Sequence, residues 1–69
     1  MTQKLKNKLR EVRQQGEGMT QQALADLVGV SRQSIIAIES GKYSPSLELA
    51  IKIAEVFDCE IRELFWLEK

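Results

Sequence analysis

Five residues punctuate the middle of this chain in a fixed order: Thr20, Gly29, Ser31, Gly41 and Ser46. A Ser or Thr hydroxyl accepts a hydrogen bond from an orphan backbone N–H at a helix start. A glycine takes the left-handed backbone at a helix end. The order start, stop, start, stop, start predicts helices over Gln21–Val28, Arg32–Ser40 and Leu47–Phe57. Upstream, Leu5, Leu9 and Val12 recur at spacings of four and three, a single helical stripe. That stripe predicts a first helix over about Lys6–Gln15, broken by Gly16-Glu17-Gly18. A short fifth helix is expected at about Glu60–Leu64. Phe65-Trp66-Leu67 reads equally as a brief strand or an extended tail. In the second helix Ala23, Leu24, Leu27 and Val28 are expected to face inward; in the third, Ile35 and Ile38. No segment alternates as a half-buried strand would, so the residues read as an all-α bundle.

The chain has 69 residues, one of them cysteine and none histidine. That is one small domain, residues 1–69. A core of this size rarely supplies more than about 3–5 kcal/mol without a disulfide or metal, so oligomerisation is an early expectation. Cys59 cannot form an intrachain disulfide, and MTQKLKNKLR has neither the apolar core nor the cleavage site of a secretory signal. No run approaches a membrane span. The expected location is cytoplasmic. Lacking histidine, a metal-ligand set, a glycine-rich phosphate loop or a nucleophile–base pair, the chain is expected to be no enzyme, with no cofactor, metal or small-molecule ligand.

Net charge is zero but unevenly spread. Residues 1–45 carry seven Lys/Arg against four Asp/Glu; residues 46–69 carry three against six. Such asymmetry fits a nucleic-acid face on one side of the molecule.

Residues of about 20–40 form one unit: two short helices joined by a turn at Gly29, the sequence form of a helix-turn-helix. On a helical wheel Arg32, Gln33, Ile36, Ala37 and Ser40 fall opposite Ile35 and Ile38. Arg pairs bidentately with guanine and Gln with adenine, while Ile36 and Ala37 suit a thymine methyl. Thr20, Gln21 and Ser31 sit at helix N-termini, where backbone N–H groups favour a phosphate. Lys42 and Tyr43 follow the third helix and can reach the flanking backbone.

At this point a resemblance emerges. TQQALADLVGVSRQSIIAIESGKYSPSLELAIKIAEVFDCEIRELF is similar to the phage Cro/repressor-like helix-turn-helix family, the xenobiotic-response-element group. It carries that family's marks at Thr20-Gln21, Leu24-Ala25, Gly29-Val30-Ser31, Ile35, Ile38-Glu39, Gly41, Pro45-Ser46, Ile53-Ala54 and Leu64-Phe65. The resemblance implies a five-helix, lambda-repressor-like domain that binds operator DNA as a dimer. By position it implies base reading by Arg32, Gln33 and Ala37, with Ser34 and Ile36 as neighbours. It implies phosphate contacts at Gln21, Ser40, Lys42 and Tyr43, and an internal ion pair between Arg13 and Glu39. Small members add a strand at each terminus, which would fall here on Thr2–Leu5 and Phe65–Leu67. Two features depart from the family pattern. The loop after the first helix is lengthened by Gly16-Glu17-Gly18, and Ile36 is apolar where a small polar residue is usual.

The C-terminal region, about 47–67, carries the expectation of a homodimer. Apolar residues of the fourth helix spread over about 220° of its circumference, against roughly 100° for an ordinary surface helix. The expected interface comprises Leu49, Val56, Ile61, Leu64, Phe65, Trp66 and Leu67. The function expected is a sequence-specific transcriptional regulator, a repressor, binding double-stranded DNA at a near-palindromic operator. The alternative is an antitoxin-like or adaptor protein-interaction module, for which Ile36 and the acidic C-terminal half are the support.

Overall fold

The computed structural model describes residues 4–68. In chain order the elements are β1 (Lys4–Asn7), α1 (Leu9–Gln14), α2 (Gln21–Val28), α3 (Arg32–Glu39), α4 (Leu47–Val56), α5 (Ile61–Leu64) and β2 (Phe65–Glu68). The helical middle follows the punctuation. Thr20, Ser31 and Ser46 each accept from the backbone N–H three residues on, those of Ala23, Ser34 and Leu49. Gly29 ends α2 at φ 77°, and its N–H and that of Val30 both return to the Ala25 carbonyl. This left-handed residue reverses the chain tightly enough for α3 to start at Arg32.

The ends differ from a purely helical bundle. The first helix starts at Leu9, not near Lys6, because Lys4–Asn7 is a strand. β1 pairs antiparallel with β2, Leu5 opposite Leu67 and Asn7 opposite Phe65. The termini therefore close into a two-stranded sheet, one residue longer than expected at the C-terminal side. Thr2 and Gln3 of the expected first strand lie outside the described residues. Asn7 makes the switch from strand to helix. Its Oδ1 accepts from Leu9 N at 3.1 Å, which bends the chain out of the ladder, and its Nδ2 donates to the Ile38 carbonyl at 2.9 Å.

Every helix contributes a fully buried aliphatic residue to one core: Leu9, Leu24, Ile35, Ile38, Ile53 and Leu64. Each such burial stabilises the fold by roughly 1.5–3 kcal/mol before conformational entropy is counted. The inward face of α3 is the expected one. That of α2 is rotated from the expectation: Leu24, Ala25 and Val28 are buried, while Ala23 and Leu27 are exposed. The reason is that α3 and α4 both pack on α2. The buried arc is therefore centred between Leu24 and Ala25, leaving Leu27 beyond its edge at about 100° per residue. Among the described residues, no helix is long and apolar enough to cross a membrane.

The turn at Gly29 generates a prediction. A Cβ there would meet no atom within 4 Å, so only backbone conformation resists substitution. Gly29→Ala should lower stability by about 1–2 kcal/mol in chemical denaturation, and Gly29→Asn by less, because Asn tolerates the left-handed region.

Candidate nucleic-acid interface

The surface most suited to a charged polymer is an open cleft of about 730 Å³ between α1, the start of α2 and one face of α3. Its walls include Arg10, Thr20, Gln21, Arg32, Ile36 and Ser40. The cleft exists because a buried ion pair holds these three helices together. Arg13, on α1, is 7% exposed. Its Nε donates to Glu39 Oε2 at 2.6 Å, its Nη2 to Glu39 Oε1 at 3.2 Å and its Nη1 to the Met19 carbonyl at 2.6 Å. Gln21 Nε2, at the start of α2, completes the set by donating to Glu39 Oε1 at 3.1 Å. Burying two charges is costly unless both are paired and hydrogen-bonded. Here both are, and no buried side-chain polar atom among the described residues lacks a partner. The Glu39 carboxylate borders the cleft, and Arg13 neutralises its charge.

The outward face of α3 presents Arg32, Gln33 and Ser40 to solvent around Ile36, which is 40% exposed. Ala37 is half-buried on the same face. Ser34 is half-buried and its hydroxyl lies 3.1 Å from that of Ser31. The capping hydroxyls of Thr20 and Ser31 remain exposed at the starts of α2 and α3. The Ser40 hydroxyl donates to the Ala37 carbonyl at 3.0 Å, closing the end of α3. Lys42 and Tyr43 are exposed just beyond. The Gln21 side chain turns inward to Glu39, so what α2 offers outward there is its N-terminal backbone.

Arg10 is a cleft residue that the sequence reading missed. It precedes Arg13 by three positions, so the two share a face of α1. That spacing was the available signal, and it becomes informative only once Arg13 is known to point at Glu39.

At the C-terminal end, burial overturns part of the expected interface. Leu64, Leu49 and Phe65 are 0%, 8% and 6% exposed: they fill the protein's own core and offer almost no surface to a second chain. Val56 and Ile61 are half-buried against that core. Trp66 and Leu67 remain exposed, as does Ile51 on α4. Cys59 is half-buried after α4. Burial and the Glu63 and Asp58 carboxylates push its thiol up, which makes it a poor nucleophile at neutral pH.

With this geometry in place, the similarity to known proteins is informative. The helix-turn-helix family model HTH_3 matches residues 9–64, from the first residue of α1 to the last of α5. The chain belongs to that helix-turn-helix family. An uncharacterized HTH-type transcriptional regulator of Bacillus subtilis is 46% identical over 65 residues, covering 94% of this chain and 97% of that protein. One from Methanocaldococcus jannaschii is 53% identical over 64 residues, covering 93% and 96%. Among solved structures, the restriction-modification controller protein C.AhdI of Aeromonas hydrophila superposes with a TM-score of 0.70 at 38% identity, covering 80% of this chain and 78% of that one. The family consists of DNA-binding transcriptional regulators, not enzymes.

The ion pair yields a prediction. Glu39→Gln leaves the Arg13 guanidinium buried without its counter-charge and should cost about 3–5 kcal/mol. Replacing both partners by apolar residues should cost less than this single change. Equal or greater loss in the double variant, read by chemical denaturation, would contradict this assignment.

Proposed function

We propose that the protein is a sequence-specific transcriptional regulator, a repressor, that binds a near-palindromic operator as a homodimer. One observation carries the reading. On the outward face of α3, Arg32 and Ile36 stand in a cleft whose charged wall residues are cationic except for a carboxylate already neutralised, and Gln33 is exposed next to Arg32. A helix presented in this way fits the major groove of B-DNA, which is about 12 Å wide.

In this reading Arg32 pairs with guanine O6 and N7, Gln33 with adenine N6 and N7, and Ile36 and Ala37 pack on thymine methyl groups. Ser34 adjoins the base edges. The exposed starts of α2 and α3, at Thr20, Gln21 and Ser31, take phosphates, aided by the partial positive charge of the helix ends. Ser40, Lys42 and Tyr43 take the backbone beyond the other end of α3. Ile36 and the acidic C-terminal half would suit a protein-binding module; that Ile36 shares the cleft wall with Arg10 and Arg32 favours DNA instead.

The homodimer draws on Trp66 and Leu67, with Val56 and Ile61 at the margin. Large apolar side chains left exposed on so small a domain are suited to a partner surface. A two-fold dimer with its recognition helices about 34 Å apart reads successive major grooves on one side of the duplex. Repression by operator occupancy then needs no surface beyond the DNA-binding one.

Selection of bound sequences from a random duplex pool at about 100 mM salt tests the whole reading. The expected product is an inverted repeat with half-sites about one helical turn apart. No enrichment by folded protein would contradict it. Against the selected site, Arg32→Ala should lose about 1–3 kcal/mol and relax preference at one base pair per half-site, whereas Lys42→Ala should weaken all DNA alike. Trp66→Glu should shift the protein toward monomer in sedimentation; an undisturbed dimer would place the interface elsewhere.

A further inference from the structure

β1 brings its lysines to the end of the recognition helix. A second recess, of about 230 Å³, lies between β1 on one side and Glu39, Ser40 and Gly41 on the other, with Lys4 and Lys6 in its wall. Glu39 and Ser40 line this recess and the base-reading cleft alike, so the two adjoin at the C-terminal end of α3. The strand is held in register with that helix. Asn7 Nδ2 bonds the Ile38 carbonyl at 2.9 Å, and the next residue, Lys8, donates its N–H to the Leu64 carbonyl at 3.0 Å.

The local charge is right for an anion. Both oxygens of Glu39 are occupied by Arg13, so this carboxylate does not oppose the lysines. Lys6 has only a long contact of 3.7 Å with Glu68, and both side chains are about half exposed. A solvated pair of this kind is worth little and exchanges readily for another anion. Lys42, which follows Gly41 in the chain, is exposed and adds to the positive charge of this end of the molecule.

We propose that β1 is a second DNA-contacting element, with Lys4 and Lys6 taking the phosphate backbone that runs past the end of α3. The inference rests on the DNA-binding reading and extends it, because it assigns the terminal sheet a role in binding as well as in closing the fold. The contact is to backbone, so it carries no sequence information of its own. It raises affinity for every duplex and fixes how far the recognition helix can rotate in the groove.

The test measures affinity for a random-sequence 30-base-pair duplex by fluorescence anisotropy across a salt series. Three proteins are compared: wild type, Lys4→Gln/Lys6→Gln, and the control Lys52→Gln/Arg62→Gln. The control removes the same charge from α4 and α5, and neither of its residues lines the cleft or the recess. Each phosphate contact contributes about 0.9 to the slope of log affinity against log salt. The strand variant should lose about 1.8 from that slope per bound protomer, and the control should lose little. Glu68→Gln, which frees Lys6, should bind a few-fold more tightly than wild type; this arm holds even if the double strand variant folds poorly. Equal slope changes in the strand and control variants, or no gain in Glu68→Gln, would overturn the role of β1 and leave the DNA-binding reading standing. Wild type without salt-dependent binding would overturn both.

Discussion

Arg13 and Glu39 meet in the interior at 2.6 Å, and three helices are oriented by that contact. Arg13 belongs to α1, Glu39 is the last residue of α3, and Gln21, the first residue of α2, shares a Glu39 oxygen. Hydrophobic burial is non-directional, so Leu9, Leu24, Ile35 and Ile38 could be satisfied by more than one rotation of α3. A guanidinium gripping a carboxylate through two N–H groups is directional. It fixes which residues of α3 point outward. It also solves an electrostatic problem, because Glu39 lies at the junction of both cationic recesses and would repel phosphate if left charged and unpaired.

The division of labour follows from this arrangement. The cationic half of the chain supplies β1, α1, α2 and α3, which together wall the cleft and the recess. The acidic half supplies α4, α5 and β2, with Ile53 and Leu64 completing the core from behind. Zero net charge limits nonspecific attraction to nucleic acid, and the segregation restores attraction for an anion on the cationic side. Strand pairing between Lys4–Asn7 and Phe65–Glu68 ties the two halves together. In a core this small, such closure adds rigidity that helices of 4 to 10 residues lack.

Much of this could be read in the sequence where the physics is local. The bounds of α2 follow from the Thr20 cap and Gly29, and the start of α3 from Ser31. The outward positions of Arg32, Gln33 and Ile36 follow from helical periodicity. The resemblance implied the pairing of Arg13 with Glu39, 26 residues apart. What was not legible depends on which surfaces meet. The wheel for α2 cannot show that α3 and α4 both press on it, so Leu27 was expected inside and Ala25 was not. The apolar density at Leu49, Leu64 and Phe65 suggested a partner chain, yet those residues fill their own core. The resemblance implied a terminal strand at Thr2–Leu5; that it runs over Lys4–Asn7 has no local signature, because a four-residue strand is set by its pairing across the whole chain. The place of Arg10 in the cleft depends on how α1 packs against α2 and α3, which its own sequence neighbourhood does not encode.

Nitrogen-15 chemical-shift mapping during titration with a short duplex tests most directly whether α3, oriented by the Arg13–Glu39 pair, is the surface that reads DNA. The account predicts the largest amide shifts at Arg32, Gln33, Ile36 and Ala37, a second set at the start of α2 and along β1, and little change in α4. Shifts concentrated in α4 and α5, with α3 unmoved, would contradict it.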